Sequence, residues 1–264
     1  MSNPYINNSA SWLALADIDY LTQFVKAWIP FNAWYKNMYP SLRTDRLIIN
    51  EIKTNNNLFR DKLIALLNGN DSASILFKSH ISSLDSLLEQ QYVPNANDRV
   101  SFRSITVERN PLLVKNYPFR RWNYKVEINY SGNTNYTINS LVTDSNGTTQ
   151  YTFNQTKYDI QEILNHAEST SSLNESQRSA LKVAYESINP KKPISLILET
   201  NRNSIQAGSI FLIDDIDKLV KGIIEILYRL RNILFHGELI PSQDNKQVYE
   251  PAYNILKTLI QSLK

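Results

Sequence analysis

The chain has 264 residues, a formal net charge of +3, a pI of about 8.8 and no cysteine. Without cysteine it cannot form a disulfide framework or a thiolate metal site. The mild excess of positive charge is compatible with a polyanionic partner such as RNA but does not require one. No apolar run approaches the roughly 18 residues of a membrane span, and the first residues lack the pattern of a signal peptide. We therefore expect a cytoplasmic protein.

The first third of the chain, residues 11–91, has the apolar period of three and four residues that is typical of amphipathic helices. The first predicted helix starts at Ser11 and ends at Pro40, with Pro30 kinking or dividing it. It contains three of the four tryptophans, which we interpret as core residues. Further helices are predicted over residues 43–53, 58–67 and 71–91.

The pattern changes after residue 97. Residues 100–157 lose the helical period, and from Tyr124 to Tyr130 apolar and other residues alternate as in a strand. Ser131-Gly132-Asn133 and Ser145-Asn146-Gly147 are hairpin turn sequences, because they contain residues that tolerate positive φ. We predict a small antiparallel β-sheet within residues 97–157, inserted between two helical blocks.

Helices return near Asp159. They are predicted over residues 159–168, 174–187, 210–236 and 248–263, and residues 194–208 remain open between a short helix and a loop. Asn174 and Gln177 have the spacing of a capping box. The expected fold is therefore mainly α. Residues 11–91 and 159–264 would form a helical bundle, and residues 97–157 the inserted sheet.

The long helix predicted over residues 210–236 ends in a cluster of polar residues. On a helical wheel, Glu225, Arg229, Asn232 and His236 share one stripe, and a broad apolar arc covers the other side. Arg231 lies at the border of that arc, where a cation is costly to bury unless it is paired. Either its stem reaches toward the helix end, or the arc faces a second copy of the chain.

The residue types in this cluster suit phosphodiester chemistry. A histidine can take a proton from a hydroxyl or give one to a leaving oxygen, and an arginine fork matches a phosphate. An asparagine can orient either group, and no metal is needed. The alternative is structural, since cations at the end of a helix complement its dipole.

Arg231, Asn232 and His236, in the order Arg-Asn-x3-His, resemble the Arg-x4–6-His motif of HEPN domains. The context agrees with the family, whose motif ends a long helix late in a helical bundle and is followed by one more helix. The aromatic residues of 28–35 are similar to the first helix of several bacterial HEPN families. The resemblance covers residues 11–91 and 159–264, and the predicted sheet is a departure from it.

The resemblance implies a metal-independent endoribonuclease that needs no cofactor and works as a homodimer through its carboxy-terminal helices. Cleavage would use the ribose 2′-hydroxyl and leave a 2′,3′-cyclic phosphate. His236 would act as acid or base, Arg231 would stabilise the phosphate, and Asn232 would orient them. Such proteins commonly act as growth-arrest toxins or in phage defence, some with an antitoxin partner. Two alternatives remain: a non-catalytic HEPN protein that binds RNA or a protein partner through the same cleft, and a purely structural dimerisation module.

A second candidate site lies within residues 99–125, where seven basic residues accompany one acid and interleaved aromatic rings. Cations and rings on a sheet are typical of single-stranded RNA binding. The alternative is a solvated hairpin whose rings pack on helices. The candidate RNA-binding residues are Arg229 from the long helix together with Arg120, Arg121, Trp122 and Tyr124.

Overall fold

The computed structural model describes residues 19–95, 98–132, 135–239 and 243–263. The chain divides into two compact units, with boundaries after Val107 and after Pro193. We call residues 108–193 the insert unit and the remainder the bundle unit. The part of the first predicted helix that precedes Asp19 lies outside the described residues.

The elements follow one another along the chain. The first four helices and a short hairpin are α1 (Tyr20–Met38), α2 (Asp45–Thr54), α3 (Leu58–Asn68), α4 (Ser72–Gln90), β1 (Pro94–Asn95) and β2 (Asp98–Arg99). The insert unit contains β3 (Val114–Phe119), β4 (Trp122–Tyr130), β5 (Tyr136–Thr143), β6 (Thr149–Gln155), α5 (Ile160–Ser169) and α6 (Glu175–Ser187). The chain then forms β7 (Ile197–Leu198), β8 (Ser204–Ala207), β9 (Ile210–Ile213), α7 (Ile216–Phe235), α8 (Gln243–Ile260) and a 3-10 turn (Gln261–Leu263).

Short polar side chains start the helices of the bundle unit. Thr44, Asn57 and Asp71 each accept a backbone N–H from the first turn of the helix that follows, which satisfies a donor that has no partner within the helix. Helix α1 continues through Pro30 without a break, and this proline lies on the exposed side. Of the two alternatives predicted for Pro30, a kink or a division of the helix, the structure excludes the division.

Helix α7 lies at the centre of the bundle unit. Almost every residue from Leu219 to Leu230 is buried, on all sides of the helix. Gly222 permits the close approach of the segment before β7, because a Cβ at this position would lie 2.2 Å from Leu196 Cδ1. An α-helix that is buried all round has a fixed rotation and position, so α7 can hold the side chains at its end in a defined arrangement.

The insert unit is a four-stranded antiparallel sheet, ordered β3-β4-β5-β6, that packs with α5 and α6 around its own apolar core. The alternation from Tyr124 to Ile128 buries every second residue, as the sequence predicts. The structure differs from the predicted boundary between the sheet and the bundle, because the sequence groups residues 159–187 with the helical bundle. Helices α5 and α6 instead cover the sheet of the insert unit.

A second sheet lies before α7. Strands β7, β9 and β8 form a three-stranded antiparallel sheet, where the sequence predicted either a short helix or a loop, followed by the start of the long helix. Residues 210–213 are a strand, and α7 begins only at Ile216. The fold is thus more helical than extended, with small antiparallel sheets. In the described part of the chain, none of the helices is both long and apolar enough to cross a membrane.

Candidate active site at the end of helix α7

Helix α7 ends in a Schellman motif that presents His236 to solvent. The N–H of Glu238 donates to the carbonyl of Ile233 at 3.0 Å, and Gly237 has a φ of 69°, the left-handed conformation that glycine adopts without strain. His236 is the C-cap, and its N–H donates to the carbonyl of Asn232 at 2.8 Å. The imidazole is exposed, so it can reach a bound molecule without any change in the backbone.

Arg231 is held in place on every side. Its Nη2 donates to Asp45 Oδ2 at 3.1 Å and its Nη1 to Asn232 Oδ1 at 2.9 Å. The guanidinium lies over the ring of Phe235, 4.5 Å from its centroid, and 5.9 Å from that of Trp28. Only 18% of the side chain is exposed. The sequence predicted that snorkelling or a second chain would relieve the buried cation, whereas an ion pair within the chain relieves it.

A buried carboxylate anchors the preceding turns of α7. Glu225 accepts from Arg46 Nη1 at 2.8 Å, from Lys53 Nζ at 2.9 Å and from Arg229 Nε at 3.0 Å. Burial opposes ionisation of Glu225, but Lys53 and Arg46 outweigh it and hold its pKa below the ordinary value. Burial lowers the pKa of Lys53 even though Glu225 faces it. Glu225 and Arg229 do share one face, as the wheel predicted, and the face packs against α2.

The first turn of helix α2 therefore clamps α7 at two points. Asp45 holds Arg231, and the next residue, Arg46, holds Glu225 while its guanidinium lies 4.4 Å from the centroid of the Tyr228 ring. Asp45 also pairs with Lys36 of α1 at 2.9 Å. Sequence reasoning missed these residues. An acid in the first turn of a helix is usually explained by the helix dipole, and no local pattern connects Asp45 to a residue 186 positions away.

The apolar arc of α7 is covered within the chain. Ile223, Ile226, Leu227 and Leu230 are each at most 2% exposed. The width of the arc is therefore no argument for a dimer, because other elements of the bundle unit already bury these residues, and the homodimer stays a prediction. Phe235 is the large apolar side chain beside the motif that stays exposed, at 50% of its surface.

The second candidate site, within residues 99–125, is not one patch of free cations. Arg99 pairs with Glu89, and Arg103 Nη2 donates to Asp85 Oδ2 at 3.2 Å. Lys125 Nζ lies 2.9 Å from Glu127. The acids come from segments outside or at the edge of the predicted patch. The sequence count of seven bases against one acid therefore overstated its free charge.

The aromatic candidates of this second site face the core of the insert unit. Tyr124 is completely buried and Trp122 is partly buried against the same core. Tyr124 is thus unavailable for stacking on a base, and the prediction that it binds RNA was wrong. The rings instead pack against the helices of the insert unit, which was the alternative interpretation. Arg120 and Arg121 are different, because both are exposed in the turn between β3 and β4.

Within the ranges that the structure describes, no three histidine, aspartate or glutamate side chains are grouped so that they could hold a metal ion. No family model, curated protein or solved structure matches the chain. The case for a function therefore depends on the chemistry at the end of α7.

Proposed function

We propose that this protein is a metal-independent endoribonuclease of the HEPN type that acts as a growth-arrest toxin or a phage-defence effector. The observation that carries the proposal is that the end of α7 presents an exposed histidine and, one turn earlier, an arginine whose guanidinium is held by hydrogen bonds. Exposed His236 lies one turn beyond Asn232, whose side chain accepts from the guanidinium of Arg231. An acid–base group and a phosphate-binding group, the second of them oriented by an amide, are what cleavage by a 2′-hydroxyl requires.

Each residue has a defined role in this proposal. His236 takes the proton of the 2′-hydroxyl or donates one to the leaving 5′-oxygen. Arg231 stabilises the charge that develops on the phosphorane. Asn232 and Asp45 hold the guanidinium, so little side-chain entropy is lost when phosphate binds. The products are a 2′,3′-cyclic phosphate and a 5′-hydroxyl.

The homodimer belongs to the same proposal. Each copy presents His236 at the surface, while Arg231 has most of its surface covered. A second copy bound through the carboxy-terminal helices would bring two motifs to one RNA strand. The half-exposed ring of Phe235 beside the motif offers apolar surface for such a contact. An antitoxin could block RNA access by binding the same surface.

One observation favours a non-catalytic alternative, in which the motif binds RNA or a protein partner without cutting. The guanidinium of Arg231 is already engaged by Asp45 and Asn232, and its Nε is buried without a hydrogen-bond partner in the described structure. An arginine used in this way can be purely structural. The catalytic and the non-catalytic proposal differ in whether the guanidinium of Arg231 can still bind a phosphate.

Incubation of the purified protein with total RNA, with and without EDTA, tests the proposal. We expect cleavage in both samples and 2′,3′-cyclic phosphate at the new 3′ ends. Cleavage that EDTA abolishes would contradict the metal-independent mechanism. RNA binding without any cleavage would favour the non-catalytic alternative.

A further inference from the structure

The turn between β3 and β4 consists of two arginines in an unusual conformation. Phe119 and Trp122 form the last pair of the hairpin, and the residues between them, Arg120 and Arg121, have φ values of 50° and 68°. A two-residue turn of this kind needs positive φ at both positions, and Asn-Gly is the sequence that adopts it most readily. Side chains with a Cβ are strained there. The hairpin thus has two arginines at positions where Asn-Gly would be less strained.

The two arginines also lack the ion pairs that other arginines in this chain form. No carboxylate of the described residues lies within 4.0 Å of either guanidinium, whereas Arg229 and Arg231 are paired. Arg120 lies over the Phe119 ring at 5.1 Å and approaches the Ser176 hydroxyl at 3.4 Å. Both guanidinium groups remain exposed. Two neighbouring positive charges therefore stand at the tip of a rigid hairpin.

We propose that this arginine turn is a second binding site for RNA, separate from the α7 motif, and that it contacts consecutive phosphates of a single strand. The identification of the ligand as RNA rests on the proposed function. A guanidinium fork matches phosphate oxygens and is always charged. Tyr124 is buried, Trp122 and Phe119 pack on the core of the insert unit, and Arg120 lies over the Phe119 ring, so these three rings are not free for base stacking. The turn therefore binds without sequence preference.

The experiment replaces the turn by the sequence that its backbone favours. The variant Arg120→Asn with Arg121→Gly removes both charges and relieves the strain, so it should melt at a higher temperature than the wild type. The probe is a fluorescent single-stranded RNA with 2′-O-methyl riboses, which cannot be cut through the 2′-hydroxyl. Each lost phosphate contact reduces the slope of log K against log salt by about 0.7 for single strands. The double variant should therefore have a slope shallower by about 1.4.

Two controls separate the turn from net charge and from strain. Lys192→Asn with Arg202→Asn removes two exposed cations elsewhere and should leave the slope unchanged. Arg120→Lys with Arg121→Lys keeps the charge at the turn and should retain most of the slope. An unchanged slope in the Asn-Gly variant would overturn the proposal, as would a wild type that fails to bind the probe.

The same probe keeps this proposal distinct from the proposed function. His236→Ala should bind the probe with the wild-type slope, because it changes the chemical step alone. If the wild type cuts no RNA but the Asn-Gly variant still loses slope, the binding site stands and the nuclease proposal falls. If the wild type cuts RNA and the Asn-Gly variant keeps its slope, the nuclease proposal stands and the binding site at the turn falls.

Discussion

The end of α7 and the turn between β3 and β4 both present arginines, but the chain uses them differently. At α7, Asp45 and Glu225 take up the charges of Arg46, Arg229 and Arg231. At the turn, Arg120 and Arg121 have no carboxylate within ion-pair distance in the described structure. A paired cation holds a fixed position and costs little to keep there, whereas an unpaired cation is free to bind. Density of positive charge along the sequence therefore does not locate a binding surface.

Removing the imidazole of His236, the proposed acid or base, should have the largest effect. We expect His236→Ala to lower the rate of RNA cleavage by about 10² to 10⁴. The melting temperature should hardly change, because the side chain is exposed at a helix end. His80→Ala, in helix α4, serves as the histidine control. Cleavage assays and thermal melts of the wild type and the two variants test this prediction. Undiminished cleavage by His236→Ala would refute the role of His236 as acid or base.

Removing the buried carboxylate should break the paired region. Glu225→Gln leaves Lys53, Arg46 and Arg229 without their shared partner. Loss of one member of a buried ion pair costs about 3 to 5 kcal/mol, so the free energy of unfolding should fall by that amount in urea. Glu175→Gln, an exposed acid on α6, should be nearly neutral. A similarly small effect of Glu225→Gln would mean that the cluster is not what holds α7 in place.

The same carboxylate predicts a loss of stability in acid. The folded-state pKa of Glu225 is below its ordinary value of 4.5, so the folded state binds fewer protons than the unfolded state in that range. Its contribution is present above pH 4.5 and is lost as the pH falls through the lowered folded-state pKa. Urea unfolding at a series of pH values should show this loss, and Glu225→Gln should show less of it. Equal acid dependence in both proteins would exclude Glu225 as its source.

Weakening the ion pair that holds Arg231 should affect stability less than removing the buried carboxylate of Glu225. Asp45→Asn weakens a hydrogen bond between charged groups and should cost about 1.5 to 3 kcal/mol. Lys36→Ala removes only the half-exposed partner of Asp45 and should cost about 0 to 1 kcal/mol. If Asp45 positions Arg231 for phosphate, Asp45→Asn should lower kcat more than it raises KM. Normal kcat in a folded Asp45→Asn protein would show that the ion pair is structural alone.

Local patterns in the sequence predicted a large part of the fold. The capping box that Asn174 and Gln177 form at the start of α6 is confirmed. The turn at Gly147, whose φ is 81°, is confirmed as well. These features depend on residues close together in the chain. The strand at 210–213 was not predicted, because a short continuous apolar run has the same appearance in a strand as in a buried helix.

The candidate site was predictable only in part. Helical spacing correctly placed Glu225 and Arg229 on one face of α7, where they form an ion pair. Asp45 and Lys53 reach α7 from more than 170 positions away, and a single sequence carries no signal for such a contact. The backbone strain at Arg120 and Arg121 could not be predicted from the sequence either, because it depends on the register between β3 and β4.

The most direct test of the account compares two RNA oligonucleotides that differ only by a 2′-deoxy ribose at the cleaved position. Both are incubated with the wild type and with His236→Ala in the presence of EDTA. We expect the wild type to cut the all-ribose strand, leaving a 2′,3′-cyclic phosphate, and to spare the deoxy position, while the variant cuts neither. Cleavage at the deoxy position, or equal cleavage by His236→Ala, would contradict attack by the 2′-hydroxyl with His236 as the acid or base.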